Sequence, residues 1–170
     1  IQVTSNVAKG SCFAFSLIKT EPKAIASEAA KPRNTTFSGM DVLCVDDQRE
    51  NLDAMQTLLT KWGINVALAN NWDDALTLCE TIQPQILLMD YQLSHDDAKN
   101  GLALIEEIRT RLNIVVPAAL ITATPDETLV TQCKAQGVNF LSKPLKPAKL
   151  RALLQSMTRY IREAKNVTEE

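Results

Sequence analysis

The stretch Val42-Leu43-Cys44-Val45-Asp46-Asp47 is apolar for four residues and then stops on two adjacent acids. The chain repeats this arrangement further on. Ile86-Leu87-Leu88-Met89 stops on Asp90, and Ala118-Ala119-Leu120-Ile121 stops on Thr122. Val138-Asn139-Phe140-Leu141-Ser142 leads into Lys143 and then Pro144. In a parallel α/β sheet the C-terminal ends of the strands converge on one edge, and ligands bind there. Three carboxylates, a hydroxyl and an ammonium would meet at that edge. Such a set can hold a divalent cation and a phosphoryl group together.

Working outward, strand and helix patterns alternate five times. Asp41 to Val45 reads as a strand. Gln48 to Trp62 reads as a helix, with Leu52, Met55, Leu58, Leu59 and Trp62 on one face and Gly63 as its stop. Ile64 to Ala69 is the second strand, and Asn70 or Asn71 can cap a helix from Trp72 to about Ile82. The third strand ends at Asp90. A polar loop from Ser94 to Gly101 leads to a helix carrying Leu102, Ile105, Ile108 and Leu112. Ala118 to Thr122 is the fourth strand. Pro125 suits the first turn of a helix that stops at Gly137. Val138 to Leu141 is the fifth strand. The last helix starts near Pro147 and turns Leu150, Leu153, Leu154, Met157 and Ile161 inward. Strands alternating with helices imply an α/β fold with a parallel sheet.

Residues 40–163 are thus expected to form the main domain, with 164–170 as a tail. Residues 1–18 alternate as two strands: Ile1, Val3 and Ser5, a turn from Asn6 to Gly10, then Phe13, Phe15 and Leu17. An isolated hairpin needs further strands or a helix to be stable, so this one is expected to belong to a domain truncated here. Residues 19–39 hold Pro22, Pro32, Gly39, small residues and mixed charge, and read as a linker.

The 170-residue chain carries a formal charge of −2, which gives no general attraction to nucleic acid or anionic membrane. Its four cysteines (Cys12, Cys44, Cys79, Cys133) are scattered, with no CxxC pair, and are expected to be reduced thiols. No apolar run approaches the roughly 20 residues of a membrane span, and no signal peptide is recognised, so a cytoplasmic location is expected.

Adjacent carboxylates at a strand end repel each other unless a cation neutralises them. Asp47 as a helix cap is the ordinary reading of the pair. The third acid, Asp90, instead makes an oxygen-rich cage suited to Mg²⁺. Neutralising Asp46 and Asp47 together is then expected to weaken cation binding while keeping or raising stability. Asp90 can also act as a nucleophile toward phosphorus. Lys143 would neutralise one phosphoryl oxygen as a point charge, and the Thr122 hydroxyl would donate to another. Taken singly, Lys143 reads as a loop lysine and Thr122 as a strand-end residue. Neither reading explains their falling at successive strand ends. His95 is the sole histidine and reads as a solvated loop residue, with proton donor or metal ligand as the alternatives.

Carried by VDD at 45–47, LLMD at 87–90, ITA at 121–123 and FLSKP at 140–144, residues 40–163 resemble the receiver domain of two-component response regulators. The resemblance implies a flavodoxin-like, doubly wound five-stranded parallel sheet of order 2-1-3-4-5 with helices on both faces. It implies that Asp90 accepts phosphate from a phosphohistidine and that Asp46, Asp47 and Asp90 hold Mg²⁺ with the backbone carbonyl of Gln92. It further implies a cis Lys143-Pro144 peptide and a switch formed by Thr122 and Phe140, a residue that otherwise packs in the core. Ser94 stands where the family often has proline, and Gly101 comes late, after an acidic insertion. Residues 1–18 resemble the final hairpin of a histidine-kinase ATPase domain, through Ile1-x-Val3-x-Ser5 and Lys9-Gly10-Ser11-x-Phe13-x-Phe15-x-Leu17.

Together the two resemblances imply the C-terminal part of a hybrid sensor histidine kinase. The partners implied are a kinase phosphohistidine domain and a histidine phosphotransfer protein, with no nucleic acid and no membrane contact by this part. The kinase's own histidine helix and ATP-binding boxes do not appear in the sequence, so kinase activity of the fragment is not expected. The alternative is a stand-alone response regulator acting by phosphorylation-dependent protein binding. A haloacid-dehalogenase-type phosphatase is disfavoured because Gln92 replaces its second acid, and a dinucleotide-binding protein because no GxGxxG follows the first strand. A DNA-binding regulator would need an effector domain after about residue 163.

Overall fold

A computed structural model describes residues 2–6, 10–14, 37–93 and 99–168. The chain forms two compact units, Ile1–Lys31 and Pro32–Glu170. In the first, β1 (Gln2–Asn6) pairs antiparallel with β2 (Gly10–Ala14), Val3 opposite Phe13. This is the hairpin expected there, though Phe15 and Leu17 lie outside the described residues.

In the second unit five parallel strands carry the alternation read from the sequence: β3 (Asp41–Val45), β4 (Asn65–Ala69), β5 (Ile86–Asp90), β6 (Ala118–Thr122) and β7 (Asn139–Ser142). The sheet order is β4-β3-β5-β6-β7, which is 2-1-3-4-5 within the unit. Because successive strand side chains point to opposite faces, each strand feeds two cores. On one face Leu43, Val45, Leu87, Met89 and Leu120 pack with α2 (Trp72–Ile82), α3 (Gly101–Leu112) and α4 (Glu127–Ala135). On the other, Val42, Cys44, Ile86, Leu88 and Ile121 pack with α1 (Arg49–Thr60) and α5 (Pro147–Thr168). The sheet is therefore covered on both faces, as a doubly wound fold requires.

The element boundaries differ from the sequence reading where local hydrogen bonds intervene. Gln48, not Asp47, occupies the N-cap of α1 and makes no side-chain cap. Trp62 falls in the turn after α1, and Ile64 stays tied to that helix through its N–H on the Leu59 carbonyl at 3.2 Å. Asn71, one of the two candidates, caps α2 by accepting from the Asp74 N–H at 2.8 Å. Pro125 stands ahead of α4, and Asp126 caps that helix through the Leu129 N–H. Val138 closes α4 by donating to Cys133 at 2.8 Å, so β7 starts one residue later than expected. The α5 backbone stays helical to Thr168, through most of the stretch expected as a tail.

Phe37, placed by composition in the linker, is only 1% exposed. Its ring lies 6.2 Å from that of Trp62, and the Arg151 guanidinium stacks over the other ring partner, 5.5 Å from the Trp62 centroid. The Gly39 N–H donates to Gly63, and the Met40 N–H donates to Phe37 itself. This corner lies at the N-terminal edge of the sheet, where α1 ends and β3 begins. Removing a buried phenyl ring costs about 3–5 kcal/mol, the transfer free energy plus the cavity. Phe37→Ala is therefore expected to lower the urea midpoint of this unit strongly. A midpoint within error of wild type would show that the ring contributes no packing.

Candidate functional site

The register of the sheet levels the polar stations. Val45 pairs with Met89, Asp90 with Ile121, and Thr122 with Ser142. The residues that follow or close each strand therefore arrive at one edge. Lys143 enters from the end of β7, its N–H donating to the Thr122 carbonyl at 2.7 Å. The peptide that follows, Lys143-Pro144, is cis.

The Lys143 ammonium lies between two carboxylates, 3.0 Å from Asp90 Oδ2 and 3.1 Å from Asp46 Oδ2. Asp46 is held from the other side as well. Its Oδ1 accepts the Gln48 N–H at 2.9 Å, and the Asn51 amide donates to Oδ1 and Oδ2, both at 3.0 Å. Asp46, Asp47 and Asp90 each bring a carboxylate oxygen within 4.8 Å of the others. Asp46 and Asp90 are buried there, and Asp47 faces solvent.

This arrangement settles the local competition over the acidic pair. Asp47 caps no helix, and Asp46 is the acid that touches the start of α1. The two acids are thus not equivalent. Asp46 is anchored by donors, and the described contacts give Asp47 no hydrogen bond.

Burial raises the Asp90 carboxyl above its ordinary range. The Lys143 hydrogen bond opposes that shift, while the charges of Asp46 and Asp47 add to it. Burial works against the Lys143 ammonium, but its hydrogen bonds and charge interactions with Asp90 and Asp46 outweigh it and hold the group above its ordinary value. The site is short of positive charge when empty of ligands. An all-oxygen donor set from carboxylates fits a hard divalent cation of the Mg²⁺ type better than a soft transition metal.

Thr122 is buried at the end of β6, where its hydroxyl accepts the Thr124 N–H at 3.3 Å. Phe140 is half-buried in β7 opposite Leu120. Gln92 is exposed two residues beyond Asp90, and His95 lies outside the described residues.

Two residues of this edge escaped the sequence reading as site components. Asn51, which holds Asp46, reads in sequence as one more polar position on α1. Its signal is the spacing of five residues from Asp46, within the first turn of the helix. Gly101 reads only as a displaced glycine. Its N–H donates to the Tyr91 carbonyl at 2.9 Å. A Cβ built on it would overlap the Asp90 carbonyl oxygen and come 2.9 Å from the carbonyl carbon. Glycine at the start of α3 thus lets the helix sit directly on the backbone of Asp90. Asn100, which caps that helix through the Leu102 and Ala103 N–H groups, fixes it there.

Comparison with known proteins agrees with this geometry. A family model described as the response regulator receiver domain matches residues 42–155. The transcriptional regulatory protein ZraR of Salmonella typhimurium is 34% identical over 125 residues, covering 73% of this chain and 27% of ZraR. The sensor histidine kinase AruS of Pseudomonas aeruginosa is 33% identical over 159 residues, covering 91% of this chain and 15% of AruS. The chain thus spans well under a third of either relative. The crystal structure of the Vibrio cholerae chemotaxis protein CheY4 superposes with a TM-score of 0.63 at 22% identity, over 69% of this chain and 98% of that one.

Proposed function

Since the chain belongs to the response regulator receiver family of two-component signalling, we propose that it is the phosphoacceptor module of a hybrid sensor histidine kinase. In this reading Asp90 takes a phosphoryl group from a phosphohistidine and a histidine phosphotransfer protein carries it onward. The observation that carries it is the Lys143 ammonium bridging Asp90 and Asp46 at one sheet edge. Receiver domains bind Mg²⁺ through an acidic cluster, and Asp46, Asp47 and Asp90 form such a cluster here. These three, with the Gln92 carbonyl, would hold the ion, which supplies charge neutralisation for the phosphoryl oxygens when bound.

The chain's own residues do the rest. An Asp90 carboxylate oxygen forms the new O–P bond as the N–P bond of the donor breaks. The electron pair returns to the imidazole nitrogen, which takes a proton from solvent. Lys143 is placed to shift from the carboxylates onto a phosphoryl oxygen. Gly101 and Asn100 hold the Asp90 backbone still while this happens.

The hybrid-kinase placement draws support from the AruS alignment, which covers 91% of the chain where the receiver model stops at residues 42–155. In this reading residues 1–18 close a kinase ATPase domain and 19–39 link it to the receiver at 40–163. The match to ZraR favours the second reading, a stand-alone response regulator, and the full reading frame of the gene separates the two. Among the described residues no helix is long and apolar enough to cross a membrane. A cytoplasmic site of action is part of the proposal.

The test is to incubate the chain with Mg²⁺ and acetyl phosphate and record intact mass before and after hydroxylamine. A single phosphoryl adduct removed by hydroxylamine is expected, and no adduct would overturn the proposal. Output is expected to run through Thr122 and Phe140. Phosphate on Asp90 would draw the Thr122 hydroxyl away from the Thr124 N–H, and Phe140 would turn into the space released. This requires only a shift between two existing states, on the order of a few kcal/mol. With beryllofluoride as phosphate mimic, NMR shifts around Phe140 should be large in wild type and reduced in Thr122→Ala. Equal responses in both would rule out the coupling.

A further inference from the structure

We propose that Asn51 is a positioning residue for the divalent cation, holding Asp46 in the orientation from which it binds the ion. The inference rests on the cation reading above and goes beyond it, to a residue that does not itself touch the ion.

The geometry is specific. One Asn51 amide nitrogen sits 3.0 Å from both oxygens of Asp46. Such a fork fixes the carboxylate plane, which a single contact to one oxygen would not. Asn51 does this without adding charge, so Asp46 keeps its full negative charge for a cation. The competing donor is Lys143, which pulls on Oδ2 alone at 3.1 Å. Without the Asn51 fork, the carboxylate is free to follow the ammonium toward Asp90. The backbone N–H of Gln48 on Oδ1 would then be the remaining restraint among the described contacts.

Groups that orient metal ligands are worth 10–100-fold in metal affinity.

The experiment is Mg²⁺ calorimetry on the full chain, with thermal unfolding measured in the absence of Mg²⁺. The variants are Asn51→Leu and Asn51→Ala, with Asp47→Asn as the reference for loss of a ligand. Asn51→Leu keeps the side-chain volume and the helix. It should weaken Mg²⁺ binding on the order of 10–100-fold, Asn51→Ala should lose affinity similarly, and Phe37→Ala, which lowers stability at the opposite edge of the sheet, should bind Mg²⁺ as wild type does. Unchanged affinity in both Asn51 variants, with affinity lost in Asp47→Asn, overturns the positioning role and leaves the cation site standing. An affinity loss that merely tracks lowered stability also overturns it, because a structural role would do the same. Unchanged affinity in Asp47→Asn overturns the cation reading itself and this inference with it.

Discussion

Asp90→Asn is expected to fold and to take up no phosphate from acetyl phosphate under conditions that label the wild-type chain. The amide oxygen is a far weaker nucleophile than a carboxylate, and no other acid ends a strand against Lys143 except Asp46. Asp46 is held by three donors, Gln48, Asn51 and Lys143, which draw on its charge and make it the weaker nucleophile of the two. Labelling should fall to background in intact-mass spectra, and undiminished labelling would move the phosphoacceptor elsewhere.

A pH signature accompanies the loss. The folded-state Asp90 carboxyl lies above its ordinary value because burial disfavours its charge. Between the ordinary value and the raised one, the folded chain binds more protons than the unfolded chain. Stability in metal-free buffer therefore rises as pH falls through that window, from the folded value down toward the unfolded one. The Asn variant lacks this rise. Parallel pH–stability curves for the two proteins would contradict the burial argument.

The second large effect is a split between the two neighbouring acids. Asp47→Asn and Asp46→Asn should each cost Mg²⁺ affinity on the order of 100-fold, given the strength of close charge pairs near a protein surface. Their metal-free stabilities should move in opposite directions. Asp47 is exposed and repels Asp46 and Asp90, so its neutralisation relieves strain. Asp46 is a hydrogen-bonded anchor, and an amide can replace only one of its acceptor oxygens. Leaving a donor unpaired there costs about 1–3 kcal/mol. The sequence alone suggests that neutralising the pair keeps or raises stability, and the contacts at Asp46 restrict that expectation to Asp47. Equal shifts in melting temperature for the two variants would show that the contacts at Asp46 carry no weight.

The parts legible in sequence were those written as pattern and repeated. Apolar runs ending on Asp46, Asp90 and Thr122 announced both the strands and the edge where they end. A cap at Asn70 or Asn71 followed from residue type and place before an apolar period, and the structure selects Asn71. What escaped depended on contacts between distant segments. Phe37 is a single aromatic in a small-residue, charged stretch, and nothing local says that Trp62 and Arg151 will meet it. Gly101 carries no positive φ that would mark it, and its reason for being glycine is the Asp90 carbonyl, eleven positions back in the chain. Asn51 required knowing which oxygen of which aspartate faces α1. Pro125 misled because proline suits a first helical turn, whereas Asp126 supplied the stronger cap and pushed the start of α4 past it.

The Phe37 corner also divides the molecule optically. The two tryptophans report from opposite edges of the sheet. Trp72 opens α2 directly after β4, whose last residue pairs with Val45 next to the acidic cluster. Trp62 sits at the far edge, ringed by Phe37 and Arg151. Replacing one indole at a time therefore gives two fluorescence channels, one from Trp72 at the sheet edge that carries the carboxylates and one from Trp62 against the buried Phe37 ring.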